Sequence, residues 1–366
     1  MLSLRDRRIA DKIVDKIKSL GMGMKIMHVC GTHQDTVVKH GLDTLLLKLG
    51  IEVREGPGCP VCVTTTREIE EALYLARKGK TVAVFGDMLR APGERDSLAT
   101  IRAKGGRVRV VYSVDDAVKY AKEKKEDIVF FGVGFETTAP SVAATILDSP
   151  PDNFSVLSVH KLTPPATEAV LALGEIELNG VIDPGHVSTV IGWKEWEPIS
   201  KKFKIPQVVA GFEPLDVLMA VYMIGRQISE GRAEVEVEYS RAVKEYGNER
   251  AKRIMYEVFE KKTGEWRGLG RVEESSLSIR KKYEDWDARK KYEDVLAEIA
   301  DREYKDPPGC RCGDVIRGAI YPYECPLFGR TCTPSHPVGP CMVSYEGGCA
   351  IEYKYHRMER AKKCVV

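Results

Sequence analysis

Short apolar runs alternate with segments of helical periodicity from about residue 25 to residue 230. The run KIMHVC (25–30) precedes the helical pattern TVVKHGLDTLLLKLG (36–50), and TVAVFG (81–86) precedes DSLATIRAKG (96–105). Repeated strand-then-helix patterns are typical of parallel sheets covered by helices. Because these repeats exceed a single sheet of ordinary size, the sequence predicts an α/β fold with two similar parallel-sheet domains.

The pattern changes after about residue 231, and three domains are expected in all. The first two are α/β domains at 1–122 and 123–231, and the third covers 232–366. The third begins with charged, at least partly helical sequence and continues from 307 as a Pro-, Gly- and Cys-rich segment with little periodicity. Such a segment buries too little apolar surface to fold alone, so covalent or metal bonds are expected to hold it.

Charge and hydropathy narrow the classes of function. The chain carries 56 basic and 54 acidic residues, a balance that gives no electrostatic reason to bind nucleic acid or a membrane surface. It contains no apolar run long enough for a signal peptide or a membrane span. We therefore expect a cytoplasmic protein without nucleic-acid or membrane partners. In that reducing compartment, spaced cysteines indicate metal or redox chemistry more than structural disulfides.

The segment GPGCPVC (56–62) contains a Cys-x-x-Cys pair, Cys59 and Cys62. Its prolines stiffen the turn, and Gly58 permits close approach of another backbone. The two thiols are thereby held within disulfide range. A zinc site would need two further ligands, which Cys30 and His33 could supply, whereas a redox switch needs none. Spacing alone leaves both interpretations open, together with direct binding of iron by the pair.

Six further cysteines lie within 310–349. They are Cys310, Cys312, Cys325, Cys332, Cys341 and Cys349. Four thiolates around one centre indicate zinc or an iron–sulfur cluster. The long, irregular spacings and the Cys-Pro pair at 325–326 favour a [4Fe–4S] cluster, with zinc and simple disulfides as the alternatives.

Most other reactive side chains of the α/β region follow predicted strands. This group comprises His28, Cys30, His33, Asp87, Glu136, His160, Asp183, His186 and Glu213. In open parallel sheets, ligands bind outside the carboxyl ends of the strands. The sequence therefore predicts a functional site at that edge.

Several segments together resemble the HypD-type maturation factors of [NiFe]-hydrogenases. They are HVCGTH, GPGCPVCVT, GFETTAP, LSVHKLTPPA, DPGHVSTVIG, GFEPLDVL and the tail pattern CxC…ECPLFGRTC…GPCMVSYEGGC. The resemblance implies two α/β domains and a third domain with a [4Fe–4S] cluster. It also implies a scaffold on which iron receives cyanide and carbonyl ligands, working with a HypC-type chaperone and a HypE-type cyanide donor.

The resemblance carries roles onto particular residues. Cys30 matches the iron-binding thiol, with His33 beside it, and Cys59 and Cys62 match a redox-active pair. In the tail it implies cluster ligands at Cys310, Cys325, Cys332 and Cys349 and a neighbouring redox pair, Cys312 and Cys341. Glu136 of the GFETTAP segment joins the candidate functional residues. Gln34 stands where the family usually has Glu.

These roles predict a particular geometry around Cys30. Its sulfur should face a cleft between the α/β domains, with His33 within reach and the following helix N-terminus favouring the thiolate. Electrons should reach Cys30 from the cluster through the cysteine pairs. The resemblance implies a redox-active assembly scaffold without ordinary turnover. The alternative is a free-standing iron–sulfur thiol/disulfide oxidoreductase whose active site is Cys59 and Cys62.

Overall fold

A computed structural model describes residues 6–363, and the side chains of residues 6–355. Its eleven strands are β1 (Met24–His28), β2 (Ile51–Glu55), β3 (Thr81–Phe85), β4 (Val108–Val111), β5 (Ile128–Gly132), β6 (Phe154–Ser158), β7 (Gly180–Pro184), β8 (Gln207–Ala210), β9 (Val235–Val237), β10 (Phe259–Trp266) and β11 (Gly270–Ile279).

The α-helices occupy most of the remaining chain. They are α1 (Arg7–Ser19), α2 (Gly31–Lys39), α3 (Leu42–Leu47), α4 (Pro60–Val63), α5 (Thr66–Arg77), α6 (Leu98–Ala103), α7 (Val114–Glu123), α8 (Ala139–Leu147), α9 (Thr163–Leu173), α10 (Gly185–Ile191), α11 (Glu197–Phe203), α12 (Pro214–Ser229), α13 (Glu249–Val258), α14 (Ala288–Lys291), α15 (Glu293–Ala297), α16 (Cys312–Ile316) and α17 (Gly348–Lys363). Short 3₁₀ turns occur at 86–90, 193–196, 281–286, 322–324 and 340–342.

Two parallel sheets form the α/β part, as the strand–helix alternation predicts. The first has the order β2-β1-β7-β8-β9, and the second has the order β4-β3-β5-β6. Strands β5 and β6 are buried at every position, because helices cover both faces of the sheet. The mixed α/β fold with two parallel sheets and a Cys-rich C-terminal region is therefore confirmed.

The sheets do not follow the predicted limits of 1–122 and 123–231. Strands β3 and β4 share a sheet with β5 and β6, whereas β1 and β2 pair with the later strands β7 to β9. The chain thus leaves the first sheet after β2 and returns to it at β7. The GPGCPVC segment is the outgoing crossover between the two sheets.

Each sheet has a point at which its connections diverge. In the first sheet β1 lies between β2 and β7, so the crevice outside the ends of β1 and β7 is a topological switch point. The register pairs His28 with Ile182, which brings the residues after both strands together. Cys30 and His186 follow these two strands.

The region after residue 231 is partly helical, as predicted, but it also contains an unpredicted β-hairpin. Helix α13 ends at Val258, and the chain then forms an antiparallel hairpin from β10 and β11. In β10 the three positions Lys261 to Thr263 are exposed, whereas Phe259 and Trp266 are buried. These exposed positions make β10 as polar as a surface helix. Its sequence therefore resembles that of a charged helix.

The Cys-rich tail packs onto the second sheet. One hydrophobic cluster joins β3, β5 and α5 to Trp266 of the hairpin and to tail residues such as Cys312 and Met342. The tail therefore shares a core with an α/β unit. No helix among residues 6–363 is both long and apolar enough to cross a membrane.

Candidate functional site

Cys30 lies at the switch point of the first sheet and is the N-cap residue of α2. Its side chain is buried, and its Sγ lies 4.0 Å from Nδ1 of His186 on α10. These two residues are separated by 156 positions and meet only because β1 and β7 are neighbours. Cys30 thus lies at the carboxyl end of β1, and the imidazole nearest to its sulfur follows β7 of the same sheet.

Two other segments close over Cys30. A Cβ atom placed on Gly58 would be 2.2 Å from the backbone nitrogen of Cys30, so the GPGCPVC segment lies directly on it. From the tail, Glu346 approaches Gly31, and Oγ1 of Thr32 donates to Oε1 of Glu346 at 3.4 Å. The three motifs HVCGTH, GPGCPVC and SYEGGC therefore converge at one thiol.

Burial controls the protonation of this thiol. Burial, with a smaller contribution from the charge of Glu346, raises the pKa of Cys30 to about 12. The backbone N–H groups of His33 and Thr32 act in the opposite direction but do not overcome burial. The expected stabilisation of the thiolate by the helix N-terminus is thus present but smaller than the burial effect. Without a bound cation, Cys30 is a thiol.

Three histidines lie near this point, and two of them contact Phe212. His186 and His33 contact the Phe212 ring with centroid distances of 5.1 and 4.8 Å, and His28 lies 6.2 Å from His33. Burial lowers the pKa of His33 to about 3 and those of His28 and His186 to about 4. All three imidazoles are consequently neutral at pH 7 and retain a nitrogen lone pair.

His33 differs from its expected placement beside the Cys30 sulfur. Its ring turns away, and Nε2 lies 2.9 Å from the carbonyl oxygen of Gly211, to which it donates. The imidazole that approaches Cys30 is that of His186. The backbone N–H of His33, rather than its ring, acts on the thiol.

Gln34 has a defined role despite replacing the usual Glu. Its Oε1 lies 2.7 Å from Nε2 of His28, and both side chains are buried. The amide oxygen accepts the imidazole N–H without adding a charge, and burial keeps His28 neutral. A carboxylate at this position would instead favour protonated His28.

Cys59 and Cys62 are joined by a disulfide in the short turn α4. Cys59 is the N-cap of this turn, and the backbone N–H of Cys62 donates to its Sγ at 3.2 Å. The turn packs against the 340–342 segment, which carries Cys341, and against α16, which begins at Cys312. The pair predicted from GPGCPVC therefore lies beside the proposed tail pair.

The tail cysteines surround a small apolar cavity. Its lining includes Cys310, Cys312, Cys325, Cys332 and Cys349, together with Leu327, Phe328 and Met342. Cys341 is fully buried outside this lining, beside Cys312 and Cys349. The four predicted cluster ligands thus all face one cavity. Cys312 lies between that cavity and Cys341.

This donor set fits an iron–sulfur cluster in kind. Several thiols face one cavity that apolar side chains shield from water, as cluster ligation requires. Contact with Cys312 lowers the pKa of Cys310 to about 6, whereas burial raises that of Cys332. Among the described residues, no three His, Cys, Asp or Glu side chains are arranged around a single metal ion.

Glu136 occupies a different part of the molecule. It follows β5 of the second sheet, and its Oε1 accepts from the backbone N–H of Thr163 at 2.8 Å, at the start of α9. Burial raises the pKa of Glu136 to about 7. In the described part of the chain, its contacts share no residue with those of Cys30. The sequence analysis counted Glu136 and Cys30 among the same candidate functional residues, but the structure does not bring them together.

Two residues near Cys30, His186 and Glu346, were not predicted from the sequence to be catalytic or metal-binding residues. His186 was noted only as one of many strand-end residues, and Glu346 was not singled out. The DPGH segment predicts that His186 follows a strand, but the sequence does not show that this strand, β7, pairs with β1. Glu346 gave none, since it reaches the site from a tail without periodicity.

Comparison with known proteins agrees with these motifs. A family model named HypD, described as the hydrogenase formation hypA family, matches residues 6–356. The chain belongs to the HypD family.

Relatives support the same assignment over their full length. A candidate hydrogenase expression/formation protein of Methanocaldococcus jannaschii is 46% identical, covering 98% of this chain and 100% of the relative. The hydrogenase maturation factors HypD of Azotobacter vinelandii and Cupriavidus necator are 42% and 40% identical, covering 92% and 97% of this chain and 90% and 96% of the relatives. This HypD-family chain is accordingly a hydrogenase maturation factor.

Proposed function

We propose that this protein is the scaffold on which the Fe(CN)₂CO group of [NiFe]-hydrogenase is assembled, with Cys30 holding the iron as cargo. The supporting observation is the convergence of the HVCGTH, GPGCPVC and SYEGGC segments on the Cys30 thiol. One segment supplies the ligand, one carries a disulfide, and one belongs to the Cys-rich tail. That arrangement suits a reaction in which a metal fragment is held while ligands and electrons are delivered.

The chemistry of Cys30 suits a transient cargo. Iron carrying cyanide and carbonyl is soft and favours thiolate over carboxylate ligands. Because burial holds Cys30 as a thiol, iron binding must release its proton, and loss of iron restores a stable neutral side chain. A second thiolate from a HypC-type chaperone would complete the grip, and a HypE-type donor would deliver cyanide. Few protein ligands make the later transfer of the fragment easier.

The tail and the two cysteine pairs would serve electron delivery. Cys310, Cys325, Cys332 and Cys349 would hold a [4Fe–4S] cluster, which supplies single electrons when bound. Cys312 borders the cavity and contacts Cys341, and both lie on segments packed against the Cys59–Cys62 turn. Electrons would then pass from the cavity through Cys312 and Cys341 to the Cys59–Cys62 pair beside Cys30.

Infrared spectroscopy tests this function directly. The protein is purified anaerobically with a HypC-type chaperone, and bands are sought in the cyanide and carbonyl stretching region. Cys30→Ala should remove these bands while leaving the fold and the cluster intact, and Cys30→Ser should remove them as well. Cys364→Ala is a matched control at a cysteine outside the motifs and should retain them.

The same spectra distinguish the assembly scaffold from the alternative function, a thiol/disulfide oxidoreductase. The Cys59–Cys62 disulfide beside the tail thiols is the observation that favours a thiol/disulfide oxidoreductase. Absence of cyanide and carbonyl bands in the wild-type protein, with a disulfide that still cycles, would favour the oxidoreductase. Full band intensity in Cys30→Ala would place the iron elsewhere.

A further inference from the structure

Arg267 is a buried cation beneath the Cys59–Cys62 turn. It lies between β10 and β11, and its side chain is 1% exposed. Its backbone N–H donates to the carbonyl oxygen of Val63 at 2.9 Å, and its Nε donates to that of Thr64 at 3.2 Å. These carbonyl groups belong to the two residues after Cys62, so the guanidinium is fixed at the end of the turn that carries the disulfide.

The same hairpin turn contacts the tail on its other side. A Cβ atom on Gly268 would be 2.7 Å from the Cα of Gly313, the residue after Cys312. Cys312, Cys341 and Cys310 lie near enough to the Arg267 guanidinium for a thiolate at any of them to interact with it. Arg267 is thus placed between the disulfide and the tail thiols.

The positive charge of Arg267 is only partly neutralised inside the protein. Its ion-pair partner is Asp306, whose side chain is 44% exposed, whereas that of Arg267 is almost fully buried. The other carboxylate that acts on Arg267, Glu68, is itself paired with the buried Lys161. Water screens the carboxylate more than the guanidinium, so a positive field remains at the turn. A positive field stabilises any negative charge that appears nearby.

We infer that Arg267 is a positioning residue that sets the reduction potential of the Cys59–Cys62 pair. Reduction of the disulfide with two electrons and one proton leaves one thiol and one thiolate. With glutathione as reductant, two molecules are oxidised to one glutathione disulfide, and one of their two protons goes to the solvent. The guanidinium stabilises the thiolate product and thereby favours the reduced pair. This inference requires neither the iron nor the cluster.

Two variants that change the local charge in opposite directions distinguish this electrostatic role from a structural one. Arg267→Gln removes the cation, and Asp306→Asn removes only the anion that opposes it. If Arg267 merely holds the turn, both variants weaken the same ion pair and shift the equilibrium in the same direction. If its charge acts on the sulfur atoms, the two variants shift the equilibrium in opposite directions.

The measurement is the ratio of dithiol to disulfide at Cys59 and Cys62 in glutathione redox buffers. The full-length protein is quenched, alkylated and read by peptide-resolved mass spectrometry. Arg267→Gln should lower the equilibrium constant for reduction about tenfold, which is about 30 mV for a two-electron couple. Asp306→Asn should raise it about threefold, and Arg267→Lys should stay within about threefold of the wild type, since it keeps the charge.

Arg317→Gln is the matched control. Arg317 donates to the carbonyl oxygen of Gly268 in the same hairpin turn, but it is paired with Asp314 and Glu175. Its loss should change the ratio less than about twofold. An unchanged or lowered ratio in Asp306→Asn overturns the inference, and it does so even when Arg267→Gln fails to fold. A missing cluster or missing iron would count against the proposed function and leave this result intact.

Discussion

Gly31, the residue after the candidate iron-binding Cys30, lies directly against the backbone of Glu346 in the tail. A Cβ atom at residue 31 would be 2.3 Å from the carbonyl oxygen of Glu346. The same tail loop reaches the second sheet, where Oγ of Ser344 donates to Oδ2 of Asp87 at 3.2 Å. The loop between Cys341 and Cys349 therefore spans the strand ends of both sheets and covers Cys30.

Gly31→Ala should disturb this contact. The added methyl group overlaps backbone atoms that have no free rotation, so we expect a loss of about 1–3 kcal/mol in the free energy of unfolding. Urea denaturation measures the change. Gly86→Ala is the matched control, since a Cβ there meets nothing within 4 Å. Equal stability of the two variants would show that the loop does not press on Cys30.

Cys30 should resist alkylation at neutral pH in the absence of iron. Because burial raises its pKa to about 12, the thiolate fraction at pH 7 is far below that of an unfolded cysteine, and it rises as the pH increases towards 12. Peptide-resolved alkylation rates across a pH series check this prediction. The urea-unfolded protein provides the reference. A Cys30 peptide that reacts equally fast in the folded and unfolded protein at pH 7 would contradict it.

The tail cysteines should divide into two classes on substitution. Cys332→Ala removes a thiol that faces the cavity and should abolish the cluster, whereas Cys341→Ala lies outside the lining and should retain about four iron and four sulfide per chain. Iron and sulfide analysis after anaerobic reconstitution distinguishes them. Loss of the cluster in both variants would move Cys341 into the ligand set. Stoichiometric zinc without a brown chromophore would exclude the cluster.

Glu55 should make the protein less stable as the pH rises. Burial raises its pKa in the folded state to about 8, from an ordinary 4.5. The folded state therefore holds this proton more tightly than the unfolded state does. The resulting contribution to stability is complete below about pH 4.5 and is lost as the pH rises to about 8.

Glu55→Gln should remove most of that dependence. The amide oxygen can still accept from the backbone N–H of Gly348, as Oε1 of Glu55 does at 3.2 Å, but it never becomes charged. The quantity compared is the difference in the free energy of unfolding between the variant and the wild type. This difference should favour the variant by on the order of 3 kcal/mol more at pH 8.5 than at pH 5. Urea denaturation at both pH values tests this expectation. The exposed Glu293→Gln is the control and should show no such gain.

The amino-acid sequence was sufficient to predict the class of fold and the family. Apolar runs alternating with helical periods predicted parallel sheets, because each period records which face of an element is buried. The motifs around Cys30, Cys59 and the tail cysteines identified the family, since side-chain chemistry is local to each segment. The sequence also predicted that these cysteines lie at strand ends or in the non-periodic tail, because periodicity is likewise local to each segment.

Tertiary structure alone decided which segments are neighbours. Periodicity does not encode strand partners, so the pairing of β1 with β7, and with it the approach of His186 to Cys30, was not available from the sequence. The β10–β11 hairpin was missed because a half-exposed strand and a charged surface helix have similar polar content. Glu346, Arg267 and the convergence on Cys30 depend on contacts across the whole chain, which arise only when the tail packs against both sheets.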